Sequence, residues 1–313
     1  MNVILDQKFS NWILGGIIRE SSQFANSQIN IQFIKLGRKQ APFQYLFRRY
    51  FKRLEISYGD LIVNQNTLLY IIENNLLKYD DLKSLRCLFT HAAEKSLTQG
   101  PLIQILLKLN RILVLNESDK LLLFSHGIPA RNILVVHGGI DRNRYYPSVK
   151  KPLEQFALIT GDAKQRKNPQ KIVELITLCG EVNFIICGRY WKEYLESNGI
   201  YLTNLKVLDY EPKLNEMLMR QASVFITLSH QEGGPYPVLE ALASGTPVIS
   251  TPVGWSPELL DGSNGRLIEF DTEIEAIRGL IFACIELKSL VYCKDLLNGR
   301  FTWHEFARLL YED

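Results

Sequence analysis

The sequence predicts an α/β protein made of two Rossmann-like domains, each a doubly wound parallel sheet. Three observations lead there. The chain has 313 residues, a length that suits two domains of ordinary size. Short apolar runs alternate with stretches of helical period, which is the grammar of βαβ units. That grammar runs through twice, with a polar stretch bearing Pro147 and Pro152 between the passes. The expected domains are therefore residues 1–147 and 148–313, with a linker over 145–152.

In the first half, strands are expected at 2–5, 29–34, 61–64, 87–90, 111–115 and 133–136. Helices fall between them, at 12–24, 42–55, 67–79, 101–109 and 117–125, the last stopped by Gly127. The second half reads as strand 156–160, helix 169–179, strand 183–187, helix 191–198 and strand 205–208. Helix 213–221, strand 224–228, helix 237–243 and strand 247–250 follow. Residues 301–310 carry apolar spacing for one helix face.

Hydrophobic residues make up 46% of the chain, enough for two real cores. The net charge of +3 divides unevenly, with +8 on residues 1–147 and −5 on the remainder, so the halves suit different partners. The five cysteines, Cys87, Cys179, Cys187, Cys284 and Cys293, show no C-x-x-C spacing and lie in apolar runs. That pattern fits a reducing compartment and argues against a zinc site. No signal-like leader is expected at the start, and no apolar run nears the roughly 20 residues of a membrane span. A cytoplasmic protein is expected, with peripheral contact at the inner membrane face as an option.

The most informative stretch runs from Glu232 to Ile249. Glu232 and Glu240 stand with seven residues between them, across a Gly/Pro-rich turn and a helix start. The turn supplies backbone N–H groups at Gly233, Gly234, Val238 and Leu239, and the helix start adds partial positive charge. A phosphate flanked by two carboxylates suits a nucleotide-sugar. Glu240 would accept from the ribose hydroxyls and Glu232 would lie on the sugar side.

This stretch resembles the E-x7-E signature of the retaining family-four glycosyltransferases, which have the GT-B fold. The likeness continues through Thr246 to Thr251, Val253-Gly254 and Pro257 to Leu260. It extends to Ile133–Pro147, which resembles the end of the family's first domain. The resemblance implies a closing helix, near residues 301–313, that crosses back onto the first domain. It implies a nucleoside-diphosphate sugar, UDP- or GDP-linked, as donor and no separate cofactor. It also implies transfer to a glycan or lipid-linked glycan in surface polysaccharide assembly. The leaving phosphate would help deprotonate the acceptor. Metal independence agrees with the lack of a D-x-D motif after a strand.

The other candidates lie at strand ends, where open α/β sheets bind ligands. Gly161 begins a loop carrying Arg166 and Lys167, which would meet the diphosphate. The family places a lysine at the Lys167 position and often an arginine directly after the glycine, where this chain has Asp162. Gly188 and Tyr210 follow two further strands and would border the base, with Tyr190 as another stacking face. Gly15-Gly16 would let an acceptor or phosphate approach the first domain, and the family implies a sugar-facing catalytic role for His91. His137 and His230 are lesser candidates. Between Arg38 and Arg53, an apolar stripe of Phe43, Phe47, Tyr50 and Phe51 is flanked by Arg48, Arg49 and Lys52. Such a helix can touch an anionic membrane or simply bury its stripe in the core. Nucleic acid is not expected, since one basic cluster has no recognition motif beside it. Two rival functions share the fold: a non-catalytic nucleotide-sugar-binding or scaffold protein, and a sugar-nucleotide epimerase.

Overall fold

The computed structural model describes residues 1–7, 13–34, 59–74, 79–90, 97, 101–148, 154–287 and 299–312. The expected helix over 42–55, the Arg38–Arg53 segment, His91 and Cys293 lie outside the described residues. The chain divides into two compact units, Met1–Gly139 with Trp303–Asp313, and Ile140–Thr302.

The first unit holds strands β1 (Asn2–Asp6), β2 (Asn30–Ile34), β3 (Leu61–Val63), β4 (Arg86–Phe89), β5 (Arg111–Val114) and β6 (Ile133–Val135). They form one parallel sheet in the order β2-β1-β3-β4-β5-β6. β3 and residues 112–114 of β5 read as unbroken apolar runs because helices cover both faces of a parallel sheet. Ile4, Ile62, Phe89 and Ile112 pack with Leu68 and Ile71 of helix Gln65–Glu73 in one core. Gly127 ends helix Glu117–Ser125 with φ +86°, a conformation that glycine adopts without strain.

The closing segment belongs to this first unit, as expected. Helix Trp303–Ala307 runs into a π-helical turn, Arg308–Glu312. The Tyr311 hydroxyl meets Ser21 Oγ at 2.6 Å, and Glu312 accepts both the backbone and side-chain N–H of Asn26 at 2.9 Å. Gly139 lies so close to Trp303 that a Cβ there would come within 2.5 Å of the ring.

The second unit holds β7 (Phe156–Thr160), β8 (Asn183–Cys187), β9 (Leu205–Leu208), β10 (Val224–Thr227), β11 (Val248–Ser250) and β12 (Gly265–Leu267). This sheet is also parallel, in the order β12-β11-β10-β7-β8-β9. The winding reverses between β7 and β10, and ligands of such sheets bind beyond the strand ends at that point. Its core joins Ile159, Phe184, Ile186 and Ile226 to Ile172 and Ile176 of helix Pro169–Leu178.

Three elements of this unit escape the sequence reading: helix Ser256–Leu259, strand β12 and helix Ile274–Leu287. β12 is only Gly-Arg-Leu, with no alternation to betray it. Its glycine is required by the sheet, since a Cβ on Gly265 would stand 2.2 Å from the Val248 carbonyl oxygen. Residues 145–152, expected as a linker, begin with the buried Tyr145 inside the second unit. Residues 145–148 form no helix or strand, as their composition suggests, while the Tyr145 ring is buried. The described cysteines Cys87, Cys179, Cys187 and Cys284 are buried free thiols. Among the described residues, no helix is long and apolar enough to cross a membrane.

Candidate functional site

The second unit gathers its polar residues beyond the ends of β7, β8, β9 and β10. The loop after β7 opens with Gly161 at φ +124°, backbone that side chains rarely adopt. Gly161 N–H donates to the Cys187 carbonyl at 3.0 Å, and Trp191 Nε1 donates to the Gly161 carbonyl at 2.7 Å. Gly188 ends β8 directly against it, where a Cβ would fall 2.0 Å from the Gly161 oxygen. Two of the expected glycines therefore exist so that two loops can touch.

From Gly161 the chain turns through a short 3-10 segment, Gln165–Lys167, and a left-handed Asn168 at φ 57°. Pro169 then starts the helix, where its missing N–H costs nothing. The turn aims Arg166 and Lys167 across the switch point at Glu232, in the loop after β10. Arg166 reaches Glu232 Oε1 at 2.7 Å and Lys167 reaches it at 2.5 Å. The same loops are joined by backbone, as His230 N–H donates to the Arg166 carbonyl at 2.8 Å. Burial pushes the Glu232 carboxyl up, but the Lys167 and Arg166 charges outweigh it and hold the group below its ordinary range. One carboxylate against two cations leaves this cluster at net +1.

The Gly233-Gly234 turn is shaped by packing. A Cβ on Gly234 would stand 2.3 Å from the Trp255 ring, and Trp255 is wholly buried. Trp255 Nε1 donates to the Pro235 carbonyl at 3.3 Å and the ring stacks edge-on with Tyr236. Helix Tyr236–Ala243 then begins, carrying Val238, Leu239 and Glu240. Val238 N–H, one of the donors expected for phosphate, is turned to the Pro235 carbonyl at 2.8 Å. Tight closure of the first helical turn takes that donor for itself.

Glu240 is half-buried. Asn215 Nδ2, on helix Pro212–Gln221, donates to Glu240 Oε2 at 3.0 Å. The Tyr145 hydroxyl lies 3.3 Å from Asn215 Nδ2 and also favours the charge on this carboxyl. Burial raises the Glu240 pKa above its ordinary value, and Asn215 and Tyr145 offset only part of that. Tyr210 stands beside it. Burial first, then the Glu240 charge, pushes the Tyr210 hydroxyl up to about 12. Tyr145 and Asn215 were missed from sequence, although Tyr145 lies within a quoted motif. No local pattern ties either residue to Glu240.

Asp162 has a partner that the sequence did not reveal. Arg189 holds its carboxylate at 3.2 and 2.8 Å, a two-pronged bond, and Lys164 adds a contact at 3.3 Å. Burial works against the charge, but these bonds keep the Asp162 carboxyl below its ordinary range. Arg189 thus brings a guanidinium against the residue that directly follows Gly161. Gly188, Arg189, Tyr190, Val207 and Asp209 line a cavity of about 210 Å³ at the ends of β8 and β9.

In the first unit, Gly15 and Gly16 fall within helix Ile13–Ser22, where Gly15 is buried and Gly16 has open space around it. His137 is half-buried, and His230 is exposed with its ring near Phe270. Among the described residues, no group of three or more His, Cys, Asp or Glu is placed to hold a metal.

Residues 145–290 match the family model described as "Glycosyl transferases group 1". Three solved structures share the fold over nearly the whole chain. Anabaena HepE in complex with UDP and glucose matches with a TM-score of 0.71 at 14% identity, over 99% of this chain and 97% of its own. Sucrose-phosphate synthase from Thermosynechococcus elongatus matches with a TM-score of 0.76 at 12% identity, over 99% and 96%. The lipopolysaccharide outer core galactosyltransferase WaaB, in its apo form, matches with a TM-score of 0.66 at 14% identity, over 99% of both chains. A comparison with curated proteins found no match.

Proposed function

We propose that the chain is a retaining, metal-independent glycosyltransferase of the GT-B fold that moves a sugar from a UDP- or GDP-sugar to a glycan or lipid-linked glycan. The second unit binds the donor in this reading and the first takes the acceptor. The observation that carries it is the clamp of Arg166 and Lys167 on Glu232 across the β7/β10 switch point, with Glu240 on the helix that follows. A diphosphate carries negative charge that the net-positive cluster complements. Side chains thereby supply the charge stabilisation that a divalent ion would otherwise provide to the leaving group. HepE in complex with UDP-glucose supports a uridine donor, while GDP-sugars fit the same phosphate and ribose chemistry.

The chemistry then follows. The bond from the anomeric carbon to the diphosphate oxygen breaks, and the acceptor oxygen bonds that carbon on the same face. The acceptor proton passes to the leaving phosphate. Glu232 lies beside the phosphate cations, where it can hold a sugar hydroxyl or face the positive charge that builds at the anomeric carbon. Glu240 accepts from the ribose hydroxyls. Surface polysaccharide assembly is the process in which such a transfer would serve.

The test is binding of UDP and GDP by calorimetry to the parent and to Glu240→Ala. Loss of a charge-assisted acceptor should weaken binding by about tenfold or more. Unchanged affinity would refute the ribose assignment. Inspection of the product anomer by NMR decides retention directly, and activity after chelation decides the role of metal.

A further inference from the structure

Glu240 is held by residues from two distant parts of the chain. Asn215 is 1% exposed and Tyr145 is 4% exposed. Asn215 Nδ2 donates to Glu240 Oε2 at 3.0 Å and also lies 3.3 Å from the Tyr145 hydroxyl. The Tyr145 hydroxyl, beside the Asn215 amide, also favours the charged form of the same carboxyl. Asn215 Oδ1 is buried and makes no hydrogen bond. A buried amide with an idle carbonyl is costly, and an apolar residue of equal size would fill the space without that cost. What the amide adds is a neutral donor aimed at Glu240. Its flipped orientation would set oxygen against oxygen, so an ionised Glu240 selects the one seen.

We propose that Asn215 and Tyr145 are positioning residues that lock Glu240 in one orientation as the acceptor for the ribose hydroxyls of the nucleotide. The inference rests on the donor-site reading above. Holding Oε2 from the protein side fixes the carboxyl plane before the ligand arrives, so little ordering remains to be done on binding. Both residues also favour the charged form, which is the form that accepts two hydroxyl protons. Other groups bear on Glu240 as well. From the Tyr145 segment, Arg144 favours its charge, and from the Asn215 helix, Glu216 opposes it. Arg144 and Glu216 are bonded to each other at 2.7 Å, so their effects on Glu240 largely cancel. Tyr210 faces Glu240 from the loop after β9.

The experiment compares UDP and GDP with their 2′-deoxy forms, by calorimetry across mildly acidic to mildly alkaline pH. The parent, Asn215→Leu, Tyr145→Phe and Glu240→Ala are measured, each checked for folding by circular dichroism. In the parent the ribose form binds more tightly than the deoxy form. In Asn215→Leu that preference should fall about tenfold, the effect of one charge-assisted hydrogen bond. The pH at which binding is lost should also move upward, because the unassisted carboxyl takes a proton more readily. Should Asn215→Leu fail to fold, Tyr145→Phe, which removes only a hydroxyl, carries the same test with a smaller change. Equal weakening of both forms, with no shift in pH profile, would mean a merely structural role and overturn the inference. If Glu240→Ala keeps the ribose preference, or the parent binds neither nucleotide, the donor-site reading itself falls. A Glu240→Ala loss beside parent-like Asn215→Leu and Tyr145→Phe overturns the positioning role alone.

Discussion

Replacing Glu232 by Gln should destabilise the protein, tighten its grip on a nucleoside diphosphate and stop transfer, three effects of different sign. The substitution keeps the shape and removes one charge. Glu232 is 10% exposed and Lys167 is 14% exposed, so their pair is well shielded, whereas Arg166 is 42% exposed and screened by water. Removing one member of a buried pair costs roughly 3–5 kcal/mol, and an exposed pair is worth no more than about 1 kcal/mol. For this mixed cluster a loss of about 2–3 kcal/mol follows, or roughly 5–10 °C in the melting point of a domain this size. The cluster meanwhile changes from net +1 to net +2. One added charge about 8 Å from a phosphate, at an effective dielectric of roughly 20–40, contributes about 1–2 kcal/mol. UDP or GDP should therefore bind some five- to thirtyfold more tightly at low salt, with the gain shrinking as salt is raised. Transfer should fall by about a hundredfold or more, because the group proposed to face the sugar has lost its charge. Calorimetry at two salt concentrations and release of nucleoside diphosphate from UDP- or GDP-sugars measure the last two effects. A folded Gln variant that binds more weakly at low salt, or transfers at the parent rate, would refute the reasoning.

Further expectations concern pH and space. Because the folded Glu232 carboxyl sits below its ordinary value, its stabilising share is present above the unfolded pKa and is lost as pH falls through the folded one. Acid unfolding of the parent should thus steepen in that window, and Glu232→Gln should flatten it in a pH series of thermal melts. Glu240 titrates the other way: its folded pKa is raised, so nucleotide binding should begin to weaken on acidification at a pH above the usual carboxylate range. A binding profile that tracks an ordinary glutamate would count against its burial and its role. Gly234→Ala would set a Cβ 2.3 Å from the buried Trp255 ring, and a loss of about 2–3 kcal/mol in urea unfolding is expected. Gly16→Ala is the contrasting case, since no atom lies within 4 Å of its Cβ; a gain of about 0.5–1 kcal/mol is expected from helix propensity.

Much of the fold is legible in the sequence because its signals are local. β7 reads Phe-Ala-Leu-Ile-Thr and is buried throughout, and Gly127 stops a helix where a glycine should. β12 was missed because Gly-Arg-Leu carries no apolar run; the Val248 backbone beside it defines the strand. The candidate site is legible where its residues are adjacent, as in the Glu232-to-Glu240 stretch. It is illegible where partners come from different loops. Asp162 looked like a departure from a basic pattern, yet Arg189, 27 positions on, sets a cation directly against it.

By itself the sequence determined the alternation of strands and helices, the paired glutamates and the glycines that turn the loops between them. Those features depend on periodicity and backbone freedom over a few neighbouring residues. Only the tertiary structure decided that Arg166 and Lys167 close on Glu232, that Gly234 yields its space to Trp255, and that Tyr145 and Asn215 converge on Glu240. The parallel order β12-β11-β10-β7-β8-β9 is the physical reason. It lays the ends of β7 and β10 side by side, so charges far apart along the chain come within bonding distance.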